Sequence, residues 1–290
     1  MTTLTTPLTA APVRRRGRLR IVLPAVVVGI YLLAAVVGPV ITGYDPTATS
    51  VPDRLLPPGA TLSNGDVALL GTDQVGRDLL GQIMQGARVS MVVGVLTLLL
   101  AGVVGSLAGL VAGYRGGIVD TVVMRLADIQ LAFPSILLAV FVAAVLGPSV
   151  PNVVLSLSIT NWPVFARVAR AQAMAVRDRD FANATRTLGA TARYVVRHCV
   201  APAVLSPVLV IATVQFGLVV VAEASLSFLG LGVPVGTPSW GTTIANGREF
   251  LDTAWWISAM PGIALVVLVV CAGTLGDALR DRLDPYRTTR

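Results

Sequence analysis

Apolar and polar positions alternate along this chain in long blocks rather than with the short periods of a soluble domain. Residues 21–41, 89–112, 118–146, 150–168, 204–229 and 254–275 are apolar nearly throughout. A helix needs about 20 such residues to cross the roughly 30 Å of bilayer hydrocarbon. The pattern predicts an all-α integral membrane fold with six transmembrane helices. The first run follows RRRGRLR at residues 14–20, a charged start like that of a signal peptide. Its apolar stretch outlasts the about 7 to 15 residues of a cleavable segment, so it reads as a retained helix. Gly102, Gly105 and Gly109 fall at close-packing spacing within the second run, where small residues let helix backbones approach.

The connections between the runs differ in texture. Arginine concentrates on one set: residues 14–20, Arg115, the cluster 167–197, and Arg280, Arg282, Arg287 and Arg290. Only Arg54, Arg77, Arg88 and Arg248 fall on the other set. Positive residues stay on the cytoplasmic side of short loops, so both termini are expected there. The reading divides the chain into a basic tail at 1–20, a first helix at 21–41 and an external loop at 42–88. A five-helix core at 89–280 and a short tail at 281–290 complete it. The external stretches 44–86 and 232–252 are rich in Pro, Gly, Asp and Thr; GTDQVGRD at 71–78 reads as a turn with a short helix, and Trp240 as an interfacial anchor.

Composition sharpens this picture. Hydrophobic residues make up 54% of the chain and charged residues 13%, with a mean hydropathy of +0.78, against about 25% charged in an ordinary soluble domain. The net charge of +7 rests on 22 basic residues, all of them arginine. A phosphate-binding loop of the P-loop kind needs a lysine after its glycines, so no standard ATP site is expected in this chain. The arginines flank apolar runs, which argues against nucleic acid as partner. Cys199, Cys271 and His198 have no metal-ligand spacing, and no catalytic set or metal site is predicted.

One polar segment, FANATRTLGA at 181–190, interrupts the apolar runs. Phe181, Ala184 and Leu188 recur at i, i+3 and i+7, on one face of a helix. Asp178 and Asp180 suit the positive end of that helix, and Gly189 supplies a left-handed stop. A short amphipathic helix is predicted, followed by a second basic helical stretch up to Pro202. Periodicity alone leaves two uses open: contact with anionic lipid or docking of a partner.

The segment resembles the EAA loop of ABC importer permeases, with the pattern Glu-Ala-Ala, three residues, Gly, nine residues, Ile-x-Leu-Pro. Here the positions read Asn183, Ala184, Thr185, then Gly189, then Cys199, Val200, Ala201 and Pro202. Spacing is kept, while Asn183 replaces the glutamate, Thr185 the second alanine, and Cys199 and Ala201 the Ile and Leu. Further stretches resemble the dipeptide, oligopeptide and nickel branch, the DppC and OppC kind. They are LLGTDQVGRDLLGQIMQGARVSM (69–91), AGYRGGIVDTVVMRLADIQLAFPSILLA (112–139), EASLSFLGLGVPVGTPSWG (223–241) and GDALRDRLDP (276–285).

The resemblance implies a MetI-like permease core with a cytoplasmic coupling helix inside a loop at 173–202. Asp180, Phe181, Asn183, Ala184, Thr185, Arg186, Leu188 and Gly189 would then dock an ATPase. It further implies a homologous second permease, two ABC ATPase subunits that bind ATP and Mg, and an extracytoplasmic solute-binding protein. The substrate would be a di- or oligopeptide, with nickel, glutathione or another small solute as alternatives. A stand-alone secondary transporter or channel is the reading from another class, and the lack of an internal repeat counts against it.

Ionisable residues inside spans are functional hypotheses. Glu223 sits toward the outer end of the fifth run, where it faces a pore, a gate or the partner permease, or is bonded to Ser225 or Ser227. Arg125 and Asp128, at i and i+3 in the third run, are expected to pair.

Overall fold

The structure, a computed structural model, describes residues 16–41, 48–234 and 236–283. Arg14, Arg15, Arg287 and Arg290 and most of both expected tails lie outside the described residues. The described chain is predominantly helical. Helix α1 (Arg16–Ile41) leads to a two-stranded hairpin, β1 (Ala60–Thr61) and β2 (Val67–Ala68), paired antiparallel with Ala60 opposite Ala68. Then follow α2 (Leu79–Arg115), α3 (Gly117–Leu131), α4 (Ser135–Leu146), α5 (Val150–Arg177), α6 (Asp180–Thr187) and α7 (Ala192–Val195). A π-helical turn (Val196–Val200) joins α7 to α8 (Ala201–Phe228); α9 (Trp240–Gly247), a 3-10 turn and α10 (Trp256–Leu283) complete the chain.

Helix α2 is the central post, flanked by α1, α5 and α8, with α10 packed against α8, α1 and α9. Its contact with α5 is the most extensive between described helices, and glycines face it. A β-carbon at Gly105 would stand 2.3 Å from the Trp162 carbonyl oxygen, and one at Gly109 2.1 Å from that of Ala166. Any larger residue there would push the two backbones apart, so the small-residue spacing is a packing requirement.

Among the described residues three helical stretches are long and apolar enough to cross a membrane: Leu79–Arg115, Ala192–Phe228 and Trp256–Asp281. The expected single span at 118–146 is instead broken. Helices α3 and α4 meet at 89°, since Pro134 has no N–H to donate and its ring excludes the preceding turn from a regular helix. The expected span at 150–168 continues to Arg177, and polar residues such as Ser156, Ser158, Thr160 and Asn161 dilute its apolar character. The second span starts well before residue 89, at Leu79, where Asp78 caps it by accepting from the Gly81 N–H at 2.8 Å.

Candidate functional site

At the arginine-rich end of the bundle the chain leaves α5, turns through Asp178 and Arg179, and forms α6. This short helix is fastened at few points. Ala182 is fully buried and packs in a cluster with Ala173, Val176, Val195 and Val200. Arg186 lies over the Tyr114 ring, 5.6 Å from its centre. Arg177, at the end of α5, donates to the Gly113 and Tyr114 carbonyls at 3.1 and 3.3 Å, satisfying acceptors that the last turn of α2 leaves open.

On the other side of α6 apolar side chains point away from the protein. Phe181 is 51% and Leu188 88% exposed, and Ala184 is exposed beside them. Burying a side chain of this size is worth about 1.5–3 kcal/mol, so the face is built to be covered. Gly189 ends the helix at φ +89°, with nothing within 4 Å of where a β-carbon would lie. Its requirement is therefore conformational only, the left-handed backbone that a side chain disfavours.

Asn183 is occupied within the segment. Its amide donates to the Asp178 carbonyl at 3.2 Å and its carbonyl accepts from Arg186 at 3.0 Å. A glutamate could make the second contact but has no hydrogen for the first. Thr185 and Thr187 donate to the carbonyls of Phe181 and Asn183, four residues back. Asp180 lies exposed in the first turn of α6. The anchor, Ala182, had a sequence signal only in retrospect: it is the small residue between exposed neighbours.

The pairing expected of Arg125 and Asp128 does not form. Asp128 accepts from Arg167 of α5 at 2.6 Å, and Arg125 has no ion-pair partner among the described residues. Asp128 faces α5 because α3 packs across that helix, and the nearby Asp120 is likewise taken by Arg170. Helix spacing defines which residues share a face, but the neighbouring helix decides which charge meets which.

Glu223 is wholly buried between α2 and α8. Its two carboxylate oxygens accept from Ser90 and Ser227, each at 2.8 Å, while Ser225 donates to the Val221 carbonyl instead. In this chain it ties two helices together. Trp240, also fully buried, donates to the Ile83 carbonyl at 2.9 Å and meets the Tyr31 ring edge-on. It is a core residue, correcting its reading as an interfacial anchor.

At the opposite end, residues 48–78 fold onto the bundle as a cap. Asp53 accepts from Ser50 and from the N–H and hydroxyl of Ser63; the Ser50 bond first, and then those of Ser63, hold its carboxyl below the usual carboxylate range. Asp73 accepts from the N–H groups of Val75 and Arg77, from the Arg77 side chain and from Gln82. Trp256 of α10 donates to the Thr72 carbonyl at 3.2 Å. GTDQVGRD is thus a turn that runs directly into α2, without the short helix expected of it.

No group of three or more His, Cys, Asp or Glu side chains capable of holding a metal occurs among the described residues. Residues 105–288 match the family described as "Binding-protein-dependent transport system inner membrane component". The chain is 39% identical to the di/tripeptide transport system permease protein DppC of Pseudomonas aeruginosa (strain UCBPP-PA14), over 88% of this chain and 84% of that protein. It is 41% identical to the dipeptide transport system permease protein DppC of Escherichia coli (strain K12), over 90% and 87%. Among solved structures it is similar in fold to a chain from "Crystal structure of an amino acid ABC transporter with histidines". That likeness has a TM-score of 0.55 at 14% identity and covers 69% of this chain and 94% of that one.

Proposed function

Because this chain belongs to the family of binding-protein-dependent transport system inner membrane components, we propose that it is the permease subunit of an ATP-driven ABC importer for di- and oligopeptides. It forms half of the translocation path and leaves ATP and Mg to separate ATPase subunits. The peptide substrate is supported by relatives named for di- and tripeptide transport at about 40% identity over most of both chains. The observation that carries the coupling role is the exposed Phe181 and Leu188 pair on a helix fixed from behind by Ala182.

In this reading six spans cross the inner membrane: α1, α2, the broken α3 and α4 pair, α5, the continuous α7 and α8, and α10. Arginine distribution orients both termini and α6 toward the cytoplasm. Asp180, Phe181, Asn183, Ala184, Thr185, Arg186, Leu188 and Gly189 make up the docking element for one ATPase. The cap at 48–78 faces an extracytoplasmic solute-binding protein, and a homologous permease supplies the other half of the path.

The reading is tested by purifying the chain from its native membrane. A complex with a second permease and two ATPases, taking up di- or tripeptides in ATP-loaded vesicles with the cognate binding protein, is the expected outcome. An isolated chain that moves solute with an ion gradient alone overturns it, and uptake of nickel chelates or glutathione but no peptide overturns the substrate.

A further inference from the structure

The elbow between α3 and α4 lies deep in the bundle, because Gln130 at its edge is pinned to the middle of α5. The Trp162 indole donates to the Gln130 side chain at 2.8 Å, and Gln130 donates to the Ile159 carbonyl. Further around α5 the polar groups are likewise settled within the chain: Gln215 of α8 donates to the Asn161 side-chain carbonyl at 3.0 Å. The backbone of the elbow is not. The carbonyls of Ala132 and Phe133 accept no hydrogen bond from the described residues.

Hydrocarbon has no donor to offer them, so non-helical backbone at this depth is covered by protein or lines a water-filled cavity. The side chains decide between the two. Residues 131–137 read LAFPSIL and all are exposed, Phe133 by 59% and Leu137 by 62%. A wall of water would leave these apolar groups wet, at about 1.5–3 kcal/mol for each large side chain. Protein suits both the open carbonyls and their apolar surround.

A second observation comes from α3 itself. Ile118, Val122, Leu126 and Ile129 are exposed and recur at i, i+4, i+8 and i+11, a single stripe along the helix. Arg125, at i+7, falls on that stripe and is exposed, with no ion-pair or hydrogen-bond partner among the described residues. The acids of the same helix are already engaged, Asp120 by Arg170 and Asp128 by Arg167 of α5. An unpaired cation on an apolar stripe is costly in a membrane, and its complement is a carboxylate. Seven residues separate Arg125 from Ala132, about 10 Å along a helix.

We propose that the face formed by α3 and the α3–α4 elbow is the seat of the second permease. That partner brings a carboxylate to Arg125 and, about 10 Å deeper along α3, a hydrogen-bond donor to the Ala132 and Phe133 carbonyls. Its matching surface is otherwise apolar. A lipid phosphate would satisfy Arg125 but not the carbonyls beyond it, and water would satisfy the carbonyls but not the side chains around them. The proposal rests on the importer reading above, which requires a second permease and leaves its seat open.

The test uses the complete transporter in its native membrane. Benzoylphenylalanine in place of Phe133 is expected, on illumination, to join this chain to the second permease, the adduct being read by mass spectrometry. Attachment to lipid alone overturns the seat. Phe133→Cys, in a chain carrying Cys199→Ser and Cys271→Ser, is expected to resist a water-soluble maleimide during ATP-driven uptake; rapid labelling puts the elbow on a water path and equally overturns it. Arg125→Glu is expected to lower co-purification of the second permease about thirtyfold or more, as loss of a buried charge pair does, while Arg125→Lys keeps most of it. Unchanged recovery with Arg125→Glu overturns the acidic complement. Should that variant fail to insert, Arg125→Gln carries the same comparison with the same two outcomes. If no second permease accompanies the unaltered chain, the importer reading itself fails, an outcome distinct from lipid adducts in an intact complex.

Discussion

The two ends of the molecule handle polar and apolar groups in opposite ways. In the cap at residues 48–78 the polar groups turn inward: Asp53, Thr72 and Asp73 are buried, and the bonds of Asp53 and Asp73 close on neighbours, Gln82 of α2 among them. At the arginine-rich end the apolar groups turn outward, with Phe181 and Leu188 exposed on α6 and Tyr194 half-exposed on α7. A buried polar group left unpaired costs about 1–3 kcal/mol, so the cap, where Asp53, Thr72 and Asp73 are bonded and Gln74 Oε1 is the buried side-chain acceptor left without a partner among the described residues, resists change. An exposed apolar pair costs solubility and gains stability only when covered, so in the proposed reading α6 is half of an interface. Substitutions at the two ends should therefore fail in different assays.

The largest effect is expected at the unfinished end. Leu188→Asp, or Phe181→Ala, should weaken association with the ATPase by about thirtyfold or more, the range of an interface hot spot, measured by co-purification and by peptide-stimulated ATP hydrolysis. Membrane insertion and cap structure should be unchanged; a stable, fully coupled Leu188→Asp complex would sink the docking role. Next in size, Gly76→Ala should open the cap. Gly76 sits at φ +82° with the Ser50 carbonyl oxygen 2.0 Å from where a β-carbon would stand, so a loss of about 1–3 kcal/mol in local stability is expected. Hydrogen exchange at residues 48–78 should rise while ATPase association stays normal.

Smaller effects separate the tie beneath the cap from the cap itself. Glu223→Leu strands the Ser90 and Ser227 hydroxyls and should lower thermal stability by about 2 kcal/mol or more, whereas Glu223→Gln, which can still bond both, should cost less than about 1 kcal/mol. Equal losses in the two would show that charge rather than hydrogen bonding holds the joint. Least of all, acidification should loosen the cap only at low pH. Asp53 has its carboxyl pKa depressed by the Ser50 and Ser63 bonds, so its contribution is complete above the ordinary carboxylate range and is lost as pH falls through the depressed value. Exchange at Ser63 measured down the pH scale checks the sign, and α6 should show no parallel change.

These contrasts also mark what the sequence made visible. The long apolar blocks of α2, α8 and α10 were plain because hydropathy accumulates over many residues, and the glycine spacing of α2 correctly implied a close neighbour. Phe181, Ala184 and Leu188 shared a face by periodicity alone. The break at Pro134 was hidden because LAFPS is as apolar as its surroundings, and hydropathy does not record direction. The full length of α5 was hidden for the converse reason, since its polar side chains bond mostly to carbonyls of the same helix, Ser156 to Asn152 and Thr160 and Asn161 to Leu157, with Ser158 reaching Thr97 of α2. Partners far apart in the chain were the least accessible: Ser90 for Glu223, Arg167 for Asp128, and Ile83 for Trp240 are set by tertiary packing.

The π-helical turn at Val196–Val200 has a consequence for the phase of the long rod that runs from Ala192 to Phe228. The Ala201 N–H reaches back to the Val196 carbonyl, because the turn houses one residue more than a regular helix would hold there. Each residue added to or removed from an α-helix rotates everything beyond it by about 100°. A deletion further along, such as at Val210, would swing Gln215 away from Asn161 and Glu223 away from Ser90. A deletion inside the π-turn would instead convert it to regular helix and leave both faces in phase. The turn is the place on this rod where the gene can change length without dephasing the gears on either side.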